Sequence, residues 1–304
     1  MKYIITGGAG FIGSHIAETL ASDHEVVVLD DLFSGKMENI HGLPVRFEKG
    51  SINDISLLKR IFEGADGIFH EAAITSVPRS VKSPLPTNEV NITGTLNVLL
   101  AAKEVKVRKV VFASSSSVYG DTPVLPKTES MTPNPLSPYG ISKLTGEQYC
   151  RVFSDLYGLE TVALRYFNVF GPRQDPKSEY SAVIPKFITR ILNHESPTIY
   201  GDGEQTRDFT YVKDVVQANI RAMQSNSRGI FNVAYCQQIS LNSLASLIMD
   251  ITGISIPVLY EPSRPGDIHD SLADIRAAQR DVKYSPNYTV KTGLVETITW
   301  YQNH

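Results

Sequence analysis

The sequence has little of what marks several large classes of protein. Its 304 residues include two cysteines, Cys150 and Cys236, and one tryptophan, and the formal net charge is only −3. Two cysteines at this separation match neither a disulfide framework nor a metal-ligand spacing. A formal net charge so close to zero does not point to a nucleic-acid or anionic-membrane partner. We therefore expect no metal site, no nucleic-acid partner and buried thiols in a reducing compartment.

Long apolar runs are missing as well. The first residues carry one positive charge and an apolar run too short for a signal-peptide core. No later run approaches the roughly 20 residues that cross a bilayer as a helix. We expect a soluble, cytoplasmic protein with no membrane partner, long enough for two domains or one large domain.

A glycine-rich turn stands between a predicted strand and a predicted helix. The buried strand over 3–6 leads into Gly7-Gly8-Ala9-Gly10-Phe11-Ile12-Gly13, and the helix is predicted to end near Ser22. This spacing lets the backbone approach a pyrophosphate that lies at the helix N-terminus. A second strand over 25–29 ends in Asp30, whose carboxylate would bond the ribose hydroxyls and repel a 2′-phosphate. The pattern predicts a dinucleotide site that takes NAD rather than NADP.

Strands and helices continue to alternate through the first half of the chain. Strands are predicted over 45–48, 67–70 and 110–113, and helices over 54–62 and 87–105. Such alternation predicts an α/β fold, a doubly wound parallel sheet of the Rossmann type with its ligands beyond the carboxyl ends of the strands.

From Asn168 onward the alternation becomes irregular, because prolines break the chain into short elements. We predict an NAD-binding Rossmann domain over 1–167 and a second, smaller α/β substrate-binding domain over 168–304. Segments near 207–235 are expected to return to the first domain.

A candidate general base follows a proline-rich loop over 120–136. In Ser137-Pro138-Tyr139-Gly140-Ile141-Ser142-Lys143, Ser137 is placed to cap a helix, and Tyr139 and Lys143 lie one turn apart on one face. A neighbouring ammonium can lower the pKa of a phenol, which could then accept a proton from an alcohol. On spacing alone, a surface lysine beside a half-buried aromatic is the more frequent case, because the motif is short and common by chance. The four serines over 114–117, at the end of a predicted strand, favour the base.

Several longer motifs carry a family resemblance. GGAGFIG, HEAA, SSSSVYG and SPYGISK resemble the extended short-chain dehydrogenase/reductases. RYFNVFGPRQ, AVIP, GDGEQTRDFTYV and RPGD make nearly the whole chain similar to the nucleotide-sugar 4-epimerases, of the UDP-glucose and UDP-N-acetylglucosamine type. The resemblance implies an isomerase that uses bound NAD to epimerise a UDP-sugar through a transient 4-keto sugar. It also implies a homodimer formed by the helices over 87–105 and 138–157.

The resemblance implies roles for individual residues. Tyr139 would be the catalytic base, Lys143 would lower its pKa and hold the nicotinamide ribose, and Ser115 would bond the substrate hydroxyl. Further cofactor contacts are implied at Gly7, Gly10, Phe11, Ile12, Gly13, Asp30, Ser51, Ile52, Ala72 and Asn91. Further substrate contacts are implied at Ser116, Asn168, Gln174, Ala182, Val183, Tyr200, Arg207, Arg264, Asp267 and Ser271. One departure is Ser51, which follows Gly50 where the family usually has an aspartate that reaches the adenine amine.

The choice of sugar and of reaction leaves alternatives. Ser271 is small where, in the family, a bulky aromatic is associated with exclusion of a 2-acetamido group. UDP-N-acetylglucosamine and UDP-N-acetylgalactosamine are therefore expected as substrates, with UDP-glucose and UDP-galactose as additional ones. UDP-glucuronate 4-epimerase is the closest alternative. A nucleotide-sugar 4,6-dehydratase, reductase or decarboxylase is a further alternative, but a dehydratase would have an Asp-Glu pair where this chain has Ser116 and Ser117. A non-enzymatic nucleotide-binding module would require the loss of Tyr139, Lys143 or Ser115, and all three are present.

Overall fold

The computed structural model describes residues 1–176, 182–263 and 269–304. Two of the predicted substrate contacts, Arg264 and Asp267, lie outside these ranges.

The described elements alternate as the sequence predicts in the first half of the chain. The strands are β1 (Lys2–Thr6), β2 (Glu25–Asp30), β3 (Arg46–Lys49), β4 (Gly67–His70), β5 (Lys109–Ser115), β6 (Glu160–Tyr166), β7 (Val169–Phe170), β8 (Thr198–Tyr200), β9 (Thr206–Asp208), β10 (Thr210–Tyr211), β11 (Gly229–Val233), β12 (Gln238–Ser240) and β13 (Leu259–Glu261). The α-helices are α1 (Phe11–Leu20), α2 (Ile55–Phe62), α3 (Val77–Lys82), α4 (Pro84–Asn88), α5 (Thr95–Glu104), α6 (Pro138–Tyr157), α7 (Val183–Leu192), α8 (Val212–Gln224), α9 (Leu241–Thr252), α10 (Arg276–Asp281) and α11 (Val290–Asn303). The five strands predicted in the first half are present, with ends displaced by at most two residues.

A seven-stranded parallel sheet is the centre of the molecule. Its order is β11-β6-β5-β4-β1-β2-β3. Helices cover both faces: one apolar core packs α1 and α8 against the sheet, and the other packs α2, α5 and α6. The predicted doubly wound α/β fold is confirmed, and the carboxyl ends of β1, β4, β5 and β6 meet at one edge.

The helix predicted over 87–105 differs in detail from the prediction. Helical structure begins at Pro84, and the segment Glu89–Gly94 between α4 and α5 is wound as a π-helix. A Cβ on Gly94 would lie 2.5 Å from Cδ1 of Ile52, so this segment packs closely on the loop after β3. π segments cannot be recognised from apolar periodicity, because they change the helical period for a single turn.

The second half builds a separate apolar cluster and also contributes to the sheet. Helices α7, α9 and α11 pack together over short strand pairs, around buried residues such as Phe187 and Leu244. Strand β11, however, pairs in parallel with β6, and α8 covers the sheet beside α1. The sheet therefore includes residues from beyond 167. Within the described ranges, no helix combines the length and the apolar character needed to cross a membrane.

Candidate active site

The glycine-rich turn after β1 forms a cradle for a phosphate. Gly7 has φ +69°, and a Cβ there would lie 2.7 Å from the Ala72 amide nitrogen, so only glycine fits. Gly10 is the N-cap of α1 and has no side chain that could accept from the amides of the first turn. These amides belong to Phe11, Ile12 and Gly13. Those amides can donate to an anion at the helix N-terminus. The geometry fits a dinucleotide pyrophosphate.

Asp30 ends β2 beside this cradle, as expected for a ribose contact. Its carboxylate oxygens accept hydrogen bonds from the amides of Ala9 at 3.0 Å and Leu32 at 2.8 Å, which fix its orientation. Burial raises the pKa of this carboxyl, and the two amide hydrogen bonds lower it. The loop after the adjacent strand β3 places Ser51 and Ile52 at the same edge of the sheet.

Asn91 lies in the π segment, and its side chain forms hydrogen bonds within the protein. Its Oδ1 accepts from the Ile74 amide at 2.8 Å, and its Nδ2 donates to the Ile74 carbonyl at 3.0 Å and to Ser142 Oγ at 3.1 Å. Asn91 thus ties the loop after β4 to α6. Ala72 in that loop lies against Gly7, at the place predicted for close approach to the cofactor.

Ser115, Tyr139 and Lys143 come together at the carboxyl edge of the sheet. Ser115 is the last residue of β5, and the other two lie on α6, whose first turn is capped by Ser137 Oγ accepting from the Gly140 amide at 3.1 Å. The Ser115 hydroxyl is near enough to the phenol of Tyr139 to lower its pKa. The three side chains predicted to act together are therefore neighbours.

The electrostatics differ from the prediction that Lys143 lowers the pKa of Tyr139. In this structure burial, with a smaller contribution from the charge of Glu71, raises the pKa of Tyr139 to about 12 in spite of the lowering by Ser115. Lys143 Nζ donates to the Ala113 carbonyl at 2.7 Å and is 5.8 Å from the centre of the Tyr139 ring. Burial lowers the pKa of Lys143 itself to about 8. The ammonium is held by the backbone of β5 rather than by the phenol, and the chain by itself keeps Tyr139 protonated.

A buried ion pair anchors α6 one turn below Lys143. Arg165 of β6 donates from Nε and Nη2 to the two carboxylate oxygens of Glu147, both at 2.8 Å, and Ser114 Oγ donates to the same carboxylate at 2.5 Å. Both charged side chains are essentially inaccessible, at 1% for Arg165 and 0% for Glu147. The pair fixes the helix that presents Tyr139 and Lys143 against the sheet. Sequence analysis did not find it, since it joins residues 18 positions apart on different elements.

Two side chains at the site were overlooked in the motifs that contain them. Glu71 directly follows β4, in HEAA, and Tyr166 ends β6, in RYFNVFGPRQ. The Tyr166 hydroxyl donates to Glu71 Oε1 at 2.9 Å. Both residues lie at the carboxyl ends of strands, where the predicted fold binds its ligands, and this position could have identified them from the sequence.

A cavity of about 520 Å³ lies between α7 and the short strands of the second half. Five predicted substrate contacts line it, namely Asn168, Ala182, Val183, Tyr200 and Arg207. Sequence analysis did not anticipate Lys186, Thr189 and Arg190, which line it from successive turns of α7. Thr189 Oγ1 is buried and has no hydrogen-bond partner in the described ranges, which leaves it available to a ligand. The cavity is a suitable size for part of a nucleotide.

The remaining predicted contacts lie next to this cavity or to Ser115. Asn168 Nδ2 donates to Ser271 Oγ at 3.4 Å and to the Asp208 carbonyl at 3.1 Å. Gln174 Nε2 donates to the Val169 carbonyl at 3.1 Å, while its buried Oε1 has no partner among the described residues. Ser116 begins the 3₁₀ turn Ser116–Tyr119 directly after Ser115. Within the described ranges, no group of three or more His, Cys, Asp or Glu residues is placed to hold a metal ion.

Known proteins share this sequence and structure over nearly their full length. The UDP-N-acetylglucosamine 4-epimerase of Methanobrevibacter ruminantium, solved with UDP-N-acetylmuramic acid, is 45% identical, with a TM-score of 0.97 over 99% of this chain and 98% of that one. The Thermus thermophilus UDP-glucose 4-epimerase, solved with NAD, is 36% identical, with a TM-score of 0.92 over 99% of each chain. The UDP-glucose 4-epimerase of Mycolicibacterium smegmatis is 38% identical over 311 aligned positions, covering 100% of this chain and 99% of that protein. Residues 3–234 match the family described as the NAD dependent epimerase/dehydratase family. The chain belongs to that family, and NAD is its cofactor.

Proposed function

We propose that this protein is a UDP-sugar 4-epimerase that interconverts UDP-N-acetylglucosamine and UDP-N-acetylgalactosamine, and also accepts UDP-glucose and UDP-galactose. The observation that carries the proposal is the meeting of Ser115, Tyr139 and Lys143 at the edge of the sheet where the glycine cradle also lies. A cavity large enough for part of a nucleotide lies in the second half of the chain, lined in part by Asn168, which follows β6. The names of similar epimerases support the same reading.

The residues of the chain divide the chemistry among them. Tyr139 accepts the proton of the sugar 4-hydroxyl, and Ser115 orients that hydroxyl by bonding to it and to the phenol. NAD⁺, held by the glycine cradle and Asp30, would supply the acceptor for the hydride that leaves C4, together with a positive charge. The chain alone holds the pKa of Tyr139 at about 12, so a further positive charge at the site would favour the phenolate that accepts the proton. The epimer would form when hydride returns to the other face of the 4-keto sugar and Tyr139 returns the proton to O4.

The nucleotide is held in the second half of the chain. The guanidinium of Arg207 and the amide of Asn168 line the cavity and suit the oxygens of a diphosphate. Tyr200, Ala182 and Val183 provide an apolar wall for the uracil. These contacts keep the nucleotide bound while the 4-keto sugar rotates to present its other face.

Two observations favour a 2-acetamido sugar. Ser271 is small, and it accepts a hydrogen bond from Asn168, which lines the cavity, so no bulky side chain stands at this position. Gln174 Oε1 is a buried acceptor without a partner among the described residues, and an acetamido N–H is a donor that would satisfy it. We therefore place the N-acetylated substrates first.

We also propose a homodimer formed through α4, α5 and α6. Leu85 on α4 is 79% exposed, and Ile141 and Leu156 on α6 are 50% and 71% exposed. Large apolar side chains gathered on neighbouring helices are typical of a covered surface. Two copies that pair these helices would bury them.

The proposed reaction is tested by offering the purified protein UDP-N-acetylglucosamine, UDP-glucose and UDP-glucuronate separately, without added NAD. We expect the C4 epimer of the first to form fastest, with the products identified by ¹H NMR. Tyr139→Phe should lower turnover by at least about 100-fold, the usual contribution of a general base. Tyr157→Phe, at the exposed end of the same helix, is the matched control and should be silent.

Other results of this experiment would refute or change the proposed activity. No epimer from any of the three substrates, or full activity in Tyr139→Phe, would refute the proposal. Epimerisation of UDP-glucuronate alone would assign the protein to the glucuronate epimerases. A 4-keto-6-deoxy product would indicate a dehydratase.

A further inference from the structure

The Glu71 carboxyl group stands at the catalytic edge of the sheet and has no part in the proposed mechanism. Its amide donates to the Thr6 carbonyl at 3.1 Å, which continues the pairing of β4 with β1. Its backbone carbon lies 3.0 Å from where a Cβ of Gly7 would be. Glu71 is therefore held rigidly beside the phosphate cradle, two strands from Tyr166.

A hydrogen-bond chain fixes the carboxyl group itself. Tyr166 OH donates to Glu71 Oε1 at 2.9 Å, and Asn219 Nδ2 donates to the Tyr166 oxygen at 2.8 Å. Asn219 lies on α8, is fully buried, and also donates to the Val215 carbonyl at 2.9 Å. Three elements, β4, β6 and α8, thus hold one carboxyl group in one orientation. In register, Tyr166 is the partner of Ser115 on β5, so this chain passes directly by the catalytic hydroxyl.

The charged groups that face Glu71 are those of the proposed active site. Burial raises the pKa of Glu71 to about 7, outweighing the hydrogen bond from Tyr166 and the charge of Lys143 on α6, which both lower it. The charge of Glu71 in turn raises the pKa of both Lys143 and Tyr139. The adjacent His70 contributes no charge, since burial lowers its pKa to about 3.

Glu71 is distinct from the other carboxylate near Lys143. Glu147 also raises the pKa of Lys143, but it is engaged by both Nε and Nη2 of Arg165. Its charge is therefore paired with a guanidinium inside the protein. A change in the field at Lys143 near neutral pH comes from Glu71 instead.

We propose that Glu71 is a further positioning residue of the active site, whose carboxyl group anchors Tyr166 beside Ser115 and places a negative charge that acts on Lys143 and Tyr139. Below neutral pH the neutral carboxyl lets both groups lose their protons more easily. Above it, the carboxylate holds both protons more firmly. The effect on turnover rests on the proposed epimerase function, but the effect on Lys143 does not.

The test is an NMR titration of the purified protein labelled with ¹³C at Lys Cε and Glu Cδ. The Lys143 signal is assigned by its loss in Lys143→Met, and the Glu71 signal by its loss in Glu71→Gln. Glu71→Gln removes the charge and keeps an oxygen that can accept from Tyr166. We expect the Lys143 titration to move to lower pH by roughly 0.5–1 unit, the size expected of one charge in partly buried surroundings.

A matched control and a second variant complete the design. Glu63→Gln removes the same charge before β4, at the opposite edge of the sheet, and should leave the Lys143 titration unchanged. Tyr166→Phe removes the hydroxyl that lowers the pKa of Glu71, so the Glu71 signal should titrate at higher pH. A folded Glu71→Gln protein with the wild-type Lys143 titration would overturn the proposal. If Glu71→Gln does not fold, an unchanged Glu71 titration in Tyr166→Phe would overturn it.

Turnover provides a separate arm. In Glu71→Gln, the pH at which epimerisation reaches half its maximum on the acid side should fall, whereas a merely structural role would lower the rate equally at every pH. A wild-type protein that makes no epimer would refute the proposed function and leave the titration of Lys143 to decide on Glu71.

Discussion

Breaking the buried pair between Glu147 and Arg165 should be among the most damaging single substitutions in this fold. In Glu147→Gln, the Arg165 guanidinium keeps one amide oxygen in place of two charged ones, at a position only 1% exposed. Its Nη1 already has no hydrogen-bond partner in the described ranges. Removing one partner of a buried ion pair costs about 3–5 kcal/mol, because the remaining charge cannot reach water. That is a large part of the roughly 5–15 kcal/mol that stabilises a typical protein.

Urea unfolding in saturating NAD, followed by far-UV circular dichroism, measures this loss. The midpoint should fall while the slope stays constant, since the surface exposed on unfolding does not change. Glu160→Gln is the matched control: it breaks a 3.2 Å pair with Arg108 whose side chains are 24% and 44% exposed, so it should cost at most about 1 kcal/mol. Equal midpoints for the two variants would contradict the argument. Replacing both members of the buried pair by methionine should recover part of the loss.

Three further results are expected. Gly7→Ala should abolish NAD binding in an equilibrium titration while circular dichroism stays native, because its Cβ would collide with Ala72; retained binding would contradict the cradle. Ser137→Ala removes the acceptor for the Gly140 amide and should cost about 1 kcal/mol of unfolding free energy in urea. Since burial raises the pKa of Glu71 from its ordinary 4.5 to about 7, the folded chain keeps a proton that the unfolded chain loses across that interval. The unfolding free energy of the protein should therefore fall as the pH rises from 4.5 to about 7. Glu71→Gln should make the plot of unfolding free energy against pH flatter over that range.

The features predicted correctly are those that depend on neighbours along the chain. A buried strand, three glycines and Asp30 lie close together at the start of the sequence, and the structure assembles them as the spacing indicated. The helix that carries Tyr139 begins after Ser137, as its capping residue predicted. Local geometry was enough to predict these elements.

The features that were missed depend on contacts between distant segments. Nothing in the residues near Lys143 indicates that its ammonium turns to the Ala113 carbonyl, because the direction of a flexible side chain is decided by what packs around it. Lys186 and Arg190 on α7 look like an ordinary charged helix face until the strands opposite enclose the cavity. Glu71 was hidden for the same reason, since Tyr166 comes 95 residues later.

The edge strand β11 limits how recombination could transfer the substrate-binding region between related proteins. Asn168 and Arg207 come before α8 and β11 in the chain, and Ser271 comes after them. Helix α8 packs on the sheet, and strand β11 pairs with β6. A recombination at one point after β6 would bring a foreign α8 and β11 against the resident sheet. A substrate pocket transplanted from a relative would instead need two donor pieces, 168–211 and 234–304, with residues 212–233 kept from the recipient. New sugar preferences in this fold should therefore arise more readily by point substitutions around Ser271 than by shuffling of whole segments.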